Sequence, residues 1–213
     1  MPTIEWGEGK KLAYREEGSG PTLVLVHGSP ADNRAWNRVV PFLKDRFRLV
    51  LPDLPGYGKS DPVPDAPKGR AALMGTALAR LIEHVGPAAV GAHSYGGLVS
   101  LQATLQANPG AVSRLVVLEP MFMLGLQILN DDPTLGPTTD YFMDYVGRVD
   151  AGENDAVGRM IDFWFGSGAY TRLPEPVRAY LNANAPRNAL DVRSSFDDIM
   201  TAEQLGKIAQ PVL

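Results

Sequence analysis

Residues 90–101 read VGAHSYGGLVSL, and this stretch decides the fold because it joins an apolar run to a helical pattern through a serine. The run at 88–94 is rich in small and apolar residues, which is typical of a strand buried on both faces. An amphipathic pattern follows at 97–107. The stretch therefore predicts a sharp strand-to-helix turn that presents the hydroxyl of Ser94 for nucleophilic attack.

Small residues flank Ser94 where such a turn needs them. Two positions before and two after the serine, larger side chains would collide with the neighbouring strand and helix. Ala92 and Gly96 occupy these positions, and Gly97 eases the helix against the sheet. Ala92 departs from the G-x-S-x-G pattern but is still small. The alternative is an ordinary strand-to-helix loop that happens to contain a serine.

Three more apolar runs, at 22–28, 47–53 and 114–120, alternate with helical patterns at 35–42 and 71–85. This alternation predicts an α/β fold with a doubly wound, mostly parallel sheet. The segments TIEWGEG and KKLAYREEG, at 3–9 and 10–18, predict a leading antiparallel hairpin. The chain is long enough to bury a substantial core as one domain.

The sequence changes character after residue 120, where no clear strand pattern continues. We therefore predict a core at 1–120, an inserted helical lid at 121–200 and the start of the C-terminal part of the core at 201–213. Residues 211–213 resemble the first residues of another buried strand. The lid aromatics at 141, 142, 145 and 163–165 either line an apolar pocket or pack the lid onto the core.

The composition narrows the classes of function. Twenty basic and 24 acidic residues give a net charge of −4, which argues against nucleic acid or an anionic membrane as partner. Without cysteine and with three scattered histidines, we expect no metal site and no cofactor. The N-terminal residues lack an apolar stretch of signal-peptide length. We expect a cytoplasmic protein with a small-molecule substrate.

Three motifs together resemble the α/β-hydrolase superfamily: HGSP at 27–30, DLPGYGKSDP at 53–62 and AHSYGG at 92–97. The resemblance implies the α/β-hydrolase fold and a serine hydrolase of the esterase or lipase-like branch. It further implies a catalytic Ser94 and an oxyanion hole made by the backbone N–H groups of Ser29 and Tyr95. The aspartate nucleophile of the superfamily's dehalogenases and epoxide hydrolases is excluded because position 94 is serine.

The resemblance also bears on the acid and the base. Glu119 closes the sixth predicted strand and is favoured as the catalytic acid that orients a histidine. The alternative is a strand-end glutamate held by helix N–H groups. The superfamily's histidine follows an eighth strand, so we expect the base to come from outside these 213 residues. His27 would orient the oxyanion loop, His93 would point away from the serine, and His84 would lie at the surface.

A fold without its last strands would leave the sixth strand as an apolar edge. We therefore expect self-association, or a complementing chain, through that edge. The alternative function is a non-catalytic protein that binds a small molecule or a partner on a truncated α/β-hydrolase scaffold. A phosphate-loop interpretation of GYGKS at 56–60 is rejected, because Asp53 stands where the pattern needs glycine and prolines follow Ser60.

Overall fold

A six-stranded sheet forms the centre of the computed structural model, which describes residues 1–65, 68–120, 133–198 and 200–213. The strand order is β1-β2-β4-β3-β5-β6. Strands β3 to β6 run parallel, whereas β2 pairs antiparallel with β1 and with β4. The predicted doubly wound, mostly parallel sheet and its leading hairpin are confirmed. The strands are β1 (Thr3–Gly7), β2 (Lys10–Glu17), β3 (Thr22–Val26), β4 (Arg48–Pro52), β5 (Ala88–His93) and β6 (Val112–Leu118).

Helices alternate with the strands and continue after them. The predicted helices at 71–85 and 97–107 are present, each beginning one or two residues earlier. No helix in the described ranges is long and apolar enough to cross a membrane. The helices are α1 (Val40–Leu43), α2 (Arg70–Val85), α3 (Tyr95–Gln106), α4 (Leu135–Asp150), α5 (Val157–Phe165), α6 (Glu175–Asp197) and α7 (Ala202–Gly206).

The helix predicted at 35–42 is instead two short pieces. A 3₁₀ turn covers Asn33–Trp36, and α1 begins at Val40. Pro41 lies in the first turn of α1 and has no N–H to donate, so one continuous helix across this segment would lose a hydrogen bond. The apolar spacing correctly predicts a buried face, but a new helix begins next to the proline.

Both faces of the central strands are covered, as the continuous apolar runs predict. Val24, Val26 and Val50 belong to the cluster that also contains the buried faces of α2 and α3. Leu25 and Leu49 point the other way and pack with Trp36, Val40 and Leu51. Alternate residues of one strand therefore serve two separate apolar layers.

A third layer consists of α4, α5 and α6, which share an apolar cluster of their own. The described part of the predicted lid is helical, and none of its described residues lies in a strand. Residues 121–132, where the lid prediction begins, fall outside the described residues. The domain boundaries at 120 and 200 stay predictions.

Residues 211–213 pair with β6 in the parallel direction. Leu115 N–H donates to the carbonyl of Pro211 at 2.9 Å, and Leu213 N–H donates to the carbonyl of Leu115 at 3.0 Å. The predicted extended segment therefore exists. Its predicted burial is not seen in this structure, where Val212 is 49% and Leu213 85% exposed.

Helices α2 and α3 approach closely at Gly75. A β-carbon there would lie 2.7 Å from Cβ of Gln102 and 3.1 Å from the backbone N of Ala103. The second contact is with backbone, which cannot rotate away. A side chain at Gly75 would therefore force α2 and α3 apart.

We expect Gly75→Ala to lower the free energy of unfolding by about 1–3 kcal/mol, because the overpacked helices must separate. Gly147→Ala in α4 is the matched control, since a β-carbon there has nothing within 4 Å. The control should raise stability by up to about 1 kcal/mol through helix propensity. Urea unfolding measures both changes. Equal stabilisation by both would contradict the close packing of α2 and α3.

Candidate active site

The turn between β5 and α3 holds Ser94 in the conformation that the sequence predicts. Ser94 has a φ of 54°, in the left-handed region that non-glycine residues rarely adopt. Its N–H donates to the carbonyl of Leu118 at 3.0 Å, and its carbonyl accepts from Gly97 N–H at 2.8 Å. Such strain costs about 1–3 kcal/mol and persists where the surroundings impose it.

The glycines at this turn are required by close backbone contacts. A β-carbon at Gly96 would lie 2.3 Å from the carbonyl oxygen of His27, and one at Gly28 would lie 2.9 Å from Cβ of Ser94. The turn and the loop after β3 therefore touch through backbone. A β-carbon at Gly97 would lie 3.2 Å from Cβ of Pro120. Glycine at this position therefore allows the residues after β6 to approach α3 closely.

The two proposed oxyanion donors lie on either side of the contact between the Ser94 turn and the loop after β3. Tyr95 is the first residue of α3, and the N–H groups of a first helical turn have no partner within the helix. Ser29 follows Gly28 in the adjoining loop. Ser29, Ser94 and Tyr95 line a common cavity. The structure thus brings these three predicted site residues together.

His27 is buried and holds the loop through both ring nitrogens. Its Nε2 accepts from Leu54 N–H at 2.9 Å, and Nδ1, 2.8 Å from the carbonyl of Gly28, therefore carries the proton. Burial lowers the pKa of His27 below its usual value, which favours this neutral form. The position matches the expected structural role. His84 is exposed near the end of α2, where its ring packs at a steep angle against that of Tyr14.

Glu119 and His93 form a pair at the carboxyl ends of β5 and β6. Nε2 of His93 lies 3.5 Å from Oε2 of Glu119, and the glutamate side chain is 90% exposed. Glu119 has a φ of 46° and lines the same cleft as Ser94. The candidate acid therefore lies in the same cleft as Ser94, but its ion-pair partner in this structure is His93.

Helix α6 supplies polar groups that the sequence analysis missed. Asn188 Nδ2 donates to Ser29 Oγ at 2.8 Å, and Tyr145 OH donates to Asn188 Oδ1 at 2.6 Å. Asp191 accepts from Tyr57 OH at 2.6 Å, and Tyr57 OH lies 2.8 Å from Ser29 Oγ. The loop that carries one proposed oxyanion donor is therefore fastened to the helical layer.

The direction of these hydrogen bonds follows from Asp191. An ionised carboxylate only accepts, so Tyr57 donates to it. Having used its proton, Tyr57 OH must accept from Ser29 Oγ, which in turn accepts from Asn188. The Ser29 hydroxyl is therefore held by hydrogen bonds to Tyr57 and Asn188.

The second proposed oxyanion residue is tied to the same helix. Tyr95 OH lies 3.0 Å from Ser194 Oγ, which donates to Asp198 at 2.9 Å. Because Ser194 gives its proton to Asp198, Tyr95 is the donor in their bond. Burial raises the pKa of Tyr95 well above its usual value, so the phenol keeps that proton. Both proposed oxyanion residues are therefore positioned by side chains of α6 or the residue that follows it.

A buried ion pair completes this network. Arg70 Nε donates to Asp191 Oδ1 at 2.6 Å, and both side chains are buried. Burial raises the pKa of the Asp191 carboxyl, and the Arg70 guanidinium opposes that rise. Burial likewise raises the pKa of Tyr57, so the phenol remains a donor. The negative charge of Asp191 therefore lies close to Tyr57 and Ser29, and the guanidinium of Arg70 in α2 compensates it.

Periodicity contained a signal for these residues. Arg70 precedes Met74, Ala77 and Leu78 at helical spacing, so a charge lies on the buried face of α2. Asn188 lies on the apolar stripe of α6 between Ala185 and Val192. A charge or amide on a buried stripe needs a partner, but the sequence does not say which.

The carboxylate of Asp53, which follows β4, is surrounded by N–H donors. Asp53 Oδ1 accepts from the backbone and side-chain N–H groups of Asn33, and Oδ2 accepts from Lys59 N–H at 2.9 Å. A β-carbon at Gly58 would lie 2.1 Å from Oδ2. The turn thus encloses a carboxylate where a phosphate loop would hold an anion. No cluster of His, Asp and Glu in the described ranges could hold a metal ion.

Two cavities meet at Ser29 and Ser94. The smaller, which we name the recess, has a volume of about 30 Å³ and is lined by Phe142, Met160, Trp164, Asn188, Asp191 and Val192. The larger, which we name the cleft, has about 590 Å³ and is lined by Pro30, His93, Glu119, Pro120, Met160, Ile161, Trp164 and Phe165. The predicted pocket lining is thus seen for three of the lid aromatics, at 142, 164 and 165.

Known proteins similar to this chain point to one family. A model of the alpha/beta hydrolase family matches residues 23–209. Over 120 residues the chain is 32% identical to a cis-3-alkyl-4-alkyloxetan-2-one decarboxylase of Xanthomonas campestris pv. campestris, covering 51% of this chain and 40% of that protein. Over 108 residues it is 38% identical to a pimeloyl-acyl-carrier-protein methyl ester esterase of Methylococcus capsulatus, covering 50% and 40%.

The chain spans about two fifths of the length of these curated relatives. Among solved structures, an esterase from Exiguobacterium antarcticum superimposes with a TM-score of 0.79 at 21% identity, covering 99% of this chain and 78% of that one. At this identity the likeness concerns the fold.

We expect Arg70→Met to destabilise the protein by about 3–5 kcal/mol at neutral pH, because the Asp191 carboxylate is left buried without its counter-charge. Adding Asp191→Asn should recover much of that loss, since a neutral amide oxygen still accepts from Tyr57. Urea unfolding of both variants measures the difference. If the second substitution only adds to the loss, the buried charge is not the cause.

The pH dependence of Arg70→Met has a defined sign. In the folded variant the pKa of Asp191 lies above its value in the unfolded chain, so folding favours the protonated form. The contribution of Asp191 to the stability of the variant should be largest below about pH 4 and should be lost as the pH rises through the raised pKa. Unfolding at a series of pH values measures this loss, and Arg70→Met/Asp191→Asn, which lacks the carboxyl, should not show it.

Proposed function

The chain belongs to the alpha/beta hydrolase family, and from this we propose that it is a serine hydrolase that cleaves ester-like, apolar small molecules through an acyl-enzyme. The observation that carries the proposal is the strained turn at Ser94. It sets a serine between two cavities, against the backbone of the loop that contains Ser29. An esterase among the relatives agrees with this class of reaction.

In the proposed reaction, Ser94 Oγ attacks the carbonyl carbon of the ester as its proton passes to a base. The carbonyl oxygen becomes negative and accepts hydrogen bonds from the backbone N–H groups of Ser29 and Tyr95. One such donor contributes about 3–4 kcal/mol to the transition state. The bond to the leaving oxygen then breaks, and the base returns its proton to that oxygen. Water releases the acyl group as a carboxylic acid.

The base is a histidine from outside these 213 residues, oriented by Glu119. His27 uses both ring nitrogens to hold the oxyanion loop, and His84 lies beside Tyr14. His93 directs Nε2 toward Glu119. An incoming imidazole in the cleft could replace His93 as the partner of the exposed glutamate and stabilise its own charged form there.

Imidazole can stand in for that histidine in a direct test. The chain is incubated with a fluorophosphonate, in which attack by Ser94 forms the O–P bond and releases fluoride, with and without imidazole. We expect a single adduct at Ser94 whose rate of formation rises with imidazole and saturates. Glu119→Gln should lower the imidazole-dependent rate by about tenfold or more, because the charge that orients the ring is lost. Intact-mass spectrometry and peptide mapping follow the adduct.

Two controls make the result decisive. Ser94→Ala should remain unlabelled, and Glu203→Gln on exposed α7 should label as the parent does, because that carboxylate pairs only with nearby Lys207 among its described contacts. A folded chain that stays unlabelled with and without imidazole would overturn the assignment of Ser94 as nucleophile. It would favour the alternative function, a non-catalytic protein that binds a small molecule or a partner.

A further inference from the structure

We propose that the substrates are esters of a very short acyl group, of about two carbons, with a bulky apolar alcohol or phenol. The proposal rests on the proposed function, since it assigns the two cavities at Ser94 to the two sides of the scissile bond. The acyl group enters the recess, and the leaving group occupies the cleft.

The recess is too small for a long acyl chain. Its volume is about 30 Å³, and one water already needs about 10–15 Å³ of such space. The methyl group of an acetyl ester fits this space, whereas the chain of a hexanoyl ester does not. Phe142 and Val192, which form part of the wall, are buried within the apolar cluster of the helical layer.

The hydrogen-bond network also prevents the recess from widening easily. Asn188 and Asp191 form its polar wall and are held by Tyr145, Ser29 and Arg70. Moving either side chain away would leave buried polar groups unpaired. A longer acyl chain would therefore have to displace the same groups that position the oxyanion loop.

The position of Glu119 decides which side leaves. The leaving oxygen takes its proton from the base, so the base and the leaving group lie on the same side of the reacting carbon. Glu119, which orients the base, lines the cleft and not the recess. The leaving group therefore extends into the cleft, and the acyl group is the part that turns into the recess.

The cleft has the size and the lining for an apolar leaving group. Its volume of about 590 Å³ lies within the range of about 300–1,000 Å³ that is usual for small-molecule sites. Pro30, Ile161 and Phe165 contribute apolar surface, and Phe165 is 72% exposed. A naphthyl or similarly large ring would cover this surface.

The test measures acylation of Ser94 by p-nitrophenyl acetate, butanoate and hexanoate in the presence of imidazole. Nitrophenolate release and the mass of the acylated chain are followed together. Each rate is divided by the rate at which the same ester reacts with imidazole in the absence of protein. We expect acetate to react at least about tenfold faster than hexanoate. In a second series, 2-naphthyl acetate should half-saturate at a lower concentration than phenyl acetate.

Two variants separate the cavities. Val192→Ala widens only the recess and should reduce the acetate preference to about threefold or less, because room is made for further carbons. Ile161→Ala lies in the cleft and should keep the acetate preference but weaken the advantage of the naphthyl ester. Circular dichroism establishes that both variants are folded.

The outcomes distinguish the two proposals. Faster acylation by hexanoate than by acetate, lost in Ser94→Ala, would overturn the short-acyl inference and leave the serine hydrolase intact. An acetate preference that Val192→Ala leaves unchanged would also overturn the inference, because the recess would not be its cause. Ester cleavage that is equal in Ser94→Ala and the parent would overturn the proposed function itself.

Discussion

A carboxylate can only accept hydrogen bonds, and Asp191 imposes that constraint on the whole site. It turns the phenol of Tyr57 toward itself, which turns the Ser29 hydroxyl toward Tyr57 and leaves Asn188 as donor to Ser29. The charge that sets this order is compensated by Arg70 from the opposite side. The arrangement of the proposed oxyanion loop therefore depends on an ion pair whose carboxylate also lines the recess.

The sheet and the turn at Ser94 could be predicted because their signals are local. An apolar run, a small residue and a serine followed by helical spacing lie within about a dozen positions, and Ser94 adopts the expected strained backbone. The runs around β3 and β4 predicted burial on both faces, and each strand does serve two apolar layers. The broken helix near Pro41 shows the limit, since spacing describes a face and one missing N–H decides where a helix starts.

The network behind the site could not be predicted, because its members are distant in sequence. Arg70 and Asp191 are 121 positions apart, and Asn188 and Ser29 are 159 apart. The pattern showed that Arg70 lies on a buried face and so needs a partner, but every acidic residue of the chain was a candidate. Pairing of this kind follows from how α6 lies on the core, which no local pattern encodes.

Helix α6 belongs to the helical layer that lines the cavities at Ser94, and it also holds the side chains of both proposed oxyanion residues. The helical layer and the loop that contains Ser29 are therefore connected by buried hydrogen bonds and cannot be changed independently. A helical layer transplanted from another member of the family would leave Arg70 and Tyr57 facing a surface that was not shaped for them. New specificity in this scaffold is more readily reached by changing the cavity-lining residues of α5 than by exchanging the layer as a whole.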